Sequence, residues 1–125
     1  PYPATLKRNI IERHSLLLET SLPAFSKQIK KALKRKDILA LNHRSSEFFA
    51  SYFDLLFALN EQLHPGEKRM LSYAKKNCTL LPQDFEANIQ AYFQNLYQWD
   101  QSQATLETLN QLLEQLKNLV ETTNI

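Results

Sequence analysis

His43, Arg44 and Glu47 are the residues whose types and spacing come nearest to chemistry. Glu47 follows His43 by four residues and Arg44 by three, so on a helix all three share one face. A carboxylate beside an arginine is held in its charged form, and it can take a proton from a substrate hydroxyl where a pocket opens beside it. The same three residues also make an ordinary intrahelical ion pair that solubilises a buried helix. A second polar group, Asn60, Glu61 and His64, closes the most hydrophobic stretch of the chain, just before Pro65-Gly66 and the charged run Glu67-Lys68-Arg69. These residues could line the rim of a site or simply cap a helix.

Other chemistries lack the residues they need. With one glycine in 125 residues, neither a GxGxxG nor a GxxxxGK[ST] phosphate loop can be written. There is no G-x-S-x-G. Cys78 has no cysteine partner, and His14, His43 and His64 have no HExxH or zinc-finger spacing, so neither a metal nor a cofactor is expected. The segment 27–36, KQIKKALKRK, is the densest charge run and could meet phosphates. Aromatic residues do not interleave with its lysines as they do in single-strand binders, so a solvated face is the expectation and nucleic acid is not the expected partner. Arg8-Asn9 followed by His14 has the spacing of the ribonuclease motif in helical HEPN domains, although in that family it lies on a late helix and here on the first.

The elements that must position these residues follow from composition and period. Sandwiches and barrels need many turns with positive φ, which glycine supplies, so a single glycine and five prolines argue for few, long helices. The expected fold is all-α: an up-and-down bundle of about five or six helices with a long central helix, formed by residues 1–125 as a single domain. A first helix from about Ala4 to Thr20 would carry Ile10, Ile11, Leu17 and Leu18 inward. Pro23 would break the chain and open a second helix reaching about Lys36, with Phe25, Ile29, Ala32 and Leu33 on its apolar stripe. Asp37 is the expected N-cap of the central helix, which would run to about Leu63 and end at Pro65. That helix is apolar nearly all round, from Ile38 through Leu63, and should be enclosed by neighbours.

A short helix from about Glu67 to Lys76 should follow, with Met70, Leu71, Tyr73 and Ala74 inward. Leu80 and Leu81 would plug the bundle. A fifth helix opens at Gln83-Asp84, with Ile89, Tyr92, Phe93 and Leu96 inward. The last carries Leu106, Leu109, Leu113, Leu116 and Val120 after a break near Ser102.

The net charge of +2 conceals a polarity. Residues 1–45 carry Lys7, Arg8, Arg13, Lys27, Lys30, Lys31, Lys34, Arg35, Lys36 and Arg44 against Glu12, Glu19 and Asp37. Residues 79–125 carry Lys117 against six acidic side chains, Asp84, Glu86, Asp100, Glu107, Glu114 and Glu121. Such a division suits self-complementary packing or a partner for the basic surface. No apolar run is long enough to span a membrane, the N-terminus lacks a signal-peptide plan, and the lone cysteine gives no sign of an oxidising compartment. The expected location is cytoplasmic, with no membrane contact. The chain opens Pro1-Tyr2-Pro3 without methionine and reads as a piece of a longer protein.

Several motifs taken in order resemble one family. Residues 29–69 contain R-x-D (Arg35 to Asp37), N-H-R-x-x-E-F (Asn42 to Phe48), F-A-L-N (Phe57 to Asn60) and H-P-G-E-K (His64 to Lys68), and L-L-P-x-D-F follows at Leu80 to Phe85. Together they resemble the helical domain of unknown function that follows the nucleotidyltransferase domain in many bacterial proteins. That domain is similar to the C-terminal bundle of kanamycin-type enzymes. The resemblance implies a substrate-binding, cleft-closing domain that is not catalytic alone. Its partner would be an N-terminal nucleotidyltransferase domain of the same protein, and its ligand a small-molecule acceptor. It further implies Glu47 as general base, with His43, Arg44, Asn60, His64 and Lys68 toward the acceptor. The rival expectation is a regulatory or interaction bundle, HEPN- or antitoxin-like, that binds protein or RNA. A G-S…D-x-D pattern elsewhere in the same protein would separate the two.

Overall fold

Six helices in the order α1 (Ala4–Leu16), α2 (Leu22–Arg35), α3 (Ile38–Leu59), α4 (Met70–Asn77), α5 (Phe85–Asn95) and α6 (Ser102–Thr122) make an all-α bundle, with no strand among the described residues. The structure is a computed structural model that describes residues 3–123, apart from the side chains of Ile10, Ile11, His14, Ser15 and Leu17. The expected stripe on the first helix, the Arg8-to-His14 pattern and Tyr2 therefore fall wholly or partly outside the described residues.

Pro23 stands in the first turn of α2, as its sequence position suggests, but no loop separates that helix from α1. A π-helical turn over Leu17–Ser21 joins α1 to α2, and Ser21 itself is helical at φ −75°, ψ −45°. Proline lacks the N–H that an α-helical bond requires and crowds the carbonyl four residues back. A wider π turn accommodates both defects without a loop, as such bulges do elsewhere. Thr20 adds a hydroxyl bond to the Leu16 carbonyl at 2.6 Å. The outcome is a rod from Ala4 to Arg35.

The rod ends by a reversal of one residue. Lys36 is left-handed at φ 55°, its N–H donates to the Leu33 carbonyl at 3.2 Å, and the N–H of Asp37 donates to Ala32 at 2.9 Å. That pair of bonds is the Schellman arrangement, here without glycine. Asp37 then caps α3, accepting the N–H of Ala40 at 3.2 Å, as its position suggested. α3 returns antiparallel along the rod, packing on both α2 and α1, and the Lys7 ammonium reaches Glu61 at 3.9 Å.

α3 is the central helix, yet it stops at Leu59 rather than near Leu63. Glu61 takes a left-handed conformation at φ 56°; its N–H donates to Ala58 and that of Gln62 to Phe57, a second Schellman closure. Pro65 therefore lies in a loop and ends nothing. Gly66, at φ +92°, turns that loop where an L side chain would be strained. The segment Glu67–Arg69 is likewise outside α4, because Arg69 is left-handed at φ 57° and α4 starts at Met70.

Burial follows the expected stripes with a few reversals. Ile29, Ala32, Leu33, Leu41, Phe48, Tyr52 and the whole run Leu55–Leu59 are buried, and the α3 aromatics interlock with Phe85 and Tyr92 of α5. Offset and edge-on ring pairs of this kind add about 0.5–1.5 kcal/mol each beyond their buried area. α6 packs on α5, α2 and α3 through Thr105, Leu109, Leu112 and Leu116. Leu109 and Leu116 are buried as expected, while Leu106, Leu113 and Val120 are only partly buried and Thr105 and Leu112 complete the line. Ile38, Leu63 and Phe93, all expected inside, are exposed: Ile38 is the first residue of α3, Leu63 lies in the loop after it, and Phe93 of α5 is half-exposed beside Phe49. Leu80 is also exposed; Leu81 and Pro82 occupy the place expected for it. Asp84 precedes α5 in a left-handed conformation and makes no side-chain cap.

Candidate functional site

α3 brings His43, Arg44 and Glu47 together, as their spacing requires. Arg44 donates through Nη1 to Glu47 Oε1 at 2.7 Å, and His43 Nε2 lies 3.5 Å from the same oxygen. All three side chains are at least a third exposed. Glu47 Oε2 has no hydrogen bond among the described residues, so one carboxylate oxygen is held by Arg44 and approached by His43 while the other keeps its lone pairs free.

Two concavities flank this ridge. One, of about 160 Å³, lies between α2 and α3 and is lined by Gln28, Lys31, Arg35, Asp37 and Arg44 over a floor of Ala32 and Ala40. The other, of about 330 Å³, is lined by Asn42, Ser45, Ser46, Phe49, Ala50, Glu67, Met70 and Phe93. At about 100° per residue, Glu47 and His43 project between the Ala40/Arg44 side and the Ala50 side of α3. They border both hollows without lining either.

The second polar group is elsewhere and is engaged internally. Asn60 is about 20 Å further along the α3 axis than Glu47, at about 1.5 Å per residue. Its amide nitrogen donates to the carbonyls of Leu56 at 2.9 Å and Leu80 at 2.8 Å, and its oxygen accepts the Leu80 N–H at 2.8 Å. His64 accepts the Gly66 N–H on Nδ1 at 2.9 Å, which places its proton on Nε2, 3.5 Å from Asp54 Oδ1. Its ring meets Phe57 edge-on with centroids 5.3 Å apart. Lys68 is exposed on the same loop. The six candidate residues thus divide into a cluster on the first half of α3 and a corner beyond its end.

Sequence reasoning missed the groups that define the hollows. Ser45 and Tyr92 share a buried hydroxyl pair at 2.6 Å between α3 and α5, beneath the larger one. Burial pushes the Tyr92 phenol up to about 12, against the lowering effect of the Ser45 bond. Tyr97 donates to Asn42 at 3.0 Å at its edge. Gln28, Lys31 and Arg35 bear the i, i+3, i+7 spacing that puts them on one face, a signal the sequence does contain, but only the fold turns that face toward Arg44.

Among the described residues no group of three or more His, Cys, Asp or Glu side chains could hold a metal ion, and no helix is long and apolar enough to cross a membrane. Comparison of the chain with protein-family models, with curated proteins and with solved structures gives no match.

Proposed function

We propose that this chain is the substrate-binding, cleft-closing helical domain of a bacterial nucleotidyltransferase, with Glu47 as the base that receives the acceptor proton. The observation that carries the reading is the asymmetry of the Glu47 carboxylate: Oε1 is held by Arg44 at 2.7 Å and approached by His43 at 3.5 Å, while Oε2 is unengaged on an exposed ridge. A base needs an oriented group with one lone pair open to the substrate hydroxyl. In the reaction, the acceptor oxygen attacks the α-phosphorus, its proton passes to Glu47 Oε2, and pyrophosphate leaves. The nucleotide and its metal belong to a catalytic domain of the same protein. Arg44 and His43 are positioning residues in this scheme, whereas Asn60 and His64 hold the bundle corner.

A second reading, an interaction bundle, draws on the exposed Phe93, which lines the larger hollow, and on the exposed Tyr97, bonded to Asn42 at its edge. The two separate in the protein that joins this chain to its catalytic domain. Glu47→Gln there should lower turnover by about 10²–10⁴-fold, with nucleotide affinity and melting temperature unchanged. A loss smaller than about fivefold removes the general-base role and leaves the interaction reading.

A further inference from the structure

We propose that the corner between α2 and α3 binds a compact oxyanion, a phosphate group carried by a small molecule. Lys31 and Arg35 of α2 and Arg44 of α3 line one hollow of about 160 Å³. Lys31 and Arg35 are one helical turn apart on the same face, a like-charge spacing that costs stability unless something compensates it. Among the described residues neither makes a hydrogen bond or an ion pair. Arg44 commits Nη1 to Glu47 and retains its other donors. The one acidic residue of the lining, Asp37, turns Oδ1 to the N–H of Ala40.

Two further features favour an anion there. Gln28 lines the same hollow, and its side-chain oxygen is buried without a partner. Buried polar atoms are nearly always hydrogen-bonded, so an orphan asks for a cause. A half-turn of the amide replaces that oxygen by NH₂, a neutral donor for an oxyanion. The N-terminus of α3 opens at the same corner, adding the positive end of its dipole.

The geometry favours a point-like ligand over a nucleic-acid strand. Lys27, Lys30 and Lys34 project about 40–140° further round α2, away from the hollow, and no aromatic side chain stands among them for base stacking. The cations that converge are Lys31, Arg35 and Arg44. This site does not depend on the role of Glu47, because binding is read on the chain itself with no transfer reaction.

Titration of the 125-residue chain with inorganic phosphate at constant ionic strength, followed by amide NMR, tests it. The expected result is saturable shifts at Ile38, Leu39 and the Gln28 side chain with a dissociation constant on the order of 1 mM. Arg35→Gln should weaken binding about tenfold, and Lys34→Gln on the outer face should leave it within about twofold, with both variants folded by circular dichroism. A nucleoside monophosphate arm distinguishes a free phosphate from a nucleotide as the source. Equal shifts with chloride, equal weakening by the two variants, or binding of single-stranded RNA without saturable phosphate binding would each overturn the proposal.

Discussion

The side-chain amide of Asn60 pairs with both backbone groups of Leu80, donating to its carbonyl and accepting its N–H, each at 2.8 Å. One residue thereby ties the end of α3 to the loop that leads into α5, and its second amide proton returns to the Leu56 carbonyl. Proteins leave few such backbone groups unpaired, and here a side chain supplies the partner that no strand or helix provides.

Replacing Asn60 by Ala should therefore cost about 2 kcal/mol, the sum of two or three net hydrogen bonds at roughly 0.5–1.5 kcal/mol each. Asn60→Asp should cost nearly as much, since the carboxylate loses both donated bonds. Urea unfolding followed by circular dichroism measures both. A change below about 0.5 kcal/mol for either would show that the loop holds its place without the clamp.

The two most buried phenols, Tyr52 on α3 and Tyr92 on α5, make opposite demands. Tyr52 is fully buried, and its hydroxyl has no hydrogen-bond partner, whereas the Tyr92 hydroxyl is bonded to Ser45. Tyr52→Phe removes an unsatisfied polar atom and should be neutral or stabilising by up to about 1 kcal/mol. Tyr92→Phe orphans the Ser45 hydroxyl and should cost about 1–2 kcal/mol. Thermal melts of the two single variants should shift in opposite directions or, at the least, differ by that margin.

These two tyrosines also contribute to the alkaline limit. Burial raises the Tyr52 phenol, and it raises Tyr92 to about 12 from the ordinary 10.0. Above the unfolded value the unfolded chain loses protons that the folded chain retains, so stability falls with rising pH. Their share of the stability should be level up to about pH 10 and then decline by about 1.4 kcal/mol per pH unit for each buried tyrosine. This decline comes on top of the earlier fall contributed by the Cys78 thiol, which burial also pushes up. Urea midpoints between about pH 9 and pH 11 measure the slope, and Tyr52→Phe should remove one tyrosine's share. A slope indifferent to that substitution would place the titration elsewhere.

What the sequence made legible was local and periodic. The stripe Ile29, Ala32 and Leu33, the Asp37 cap and the enclosed run of α3 all follow from spacing and side-chain chemistry. So does the meeting of His43, Arg44 and Glu47 on one turn. The ends of helices were less legible, because the chain closes α2 and α3 through left-handed Lys36 and Glu61 where a glycine or proline signal is the usual guide. Pro23 marked the first turn of α2 but not the π turn that joins it to α1 without a loop. The hollows were not legible at all, since Ser45 meets Tyr92 across 47 residues and Arg44 meets Lys31 and Arg35 only through the fold.

Those left-handed closures are themselves testable. A residue with a β-carbon loses about 1 kcal/mol or more in that conformation, which glycine avoids. Lys36→Gly and Glu61→Gly should each stabilise the protein by about 0.5–1 kcal/mol. The Glu61 variant also loses its contact with Lys7, but a half-exposed pair at 3.9 Å is worth little. Destabilisation by both, read from denaturant midpoints, would mean that these residues are not left-handed in solution.

Glu47 gives the prediction on which the reading of activity depends. Its partners Arg44 and His43 remain solvated when it is neutralised, because their side chains are 36% and 68% exposed. Exposed pairs of this kind are worth about 0–1 kcal/mol, so Glu47→Gln should change the stability of the chain by less than that. Leu56→Ala, one helix face away and fully buried, should cost about 2–5 kcal/mol and serves as the measure of a residue that holds the core. A Glu47→Gln cost above about 2 kcal/mol would assign the carboxylate to the fold, and any loss of turnover in the parent protein would then reflect damage to the bundle. A cost below 1 kcal/mol leaves the helix face intact, and a turnover loss of a hundredfold or more can then be assigned to the missing proton acceptor.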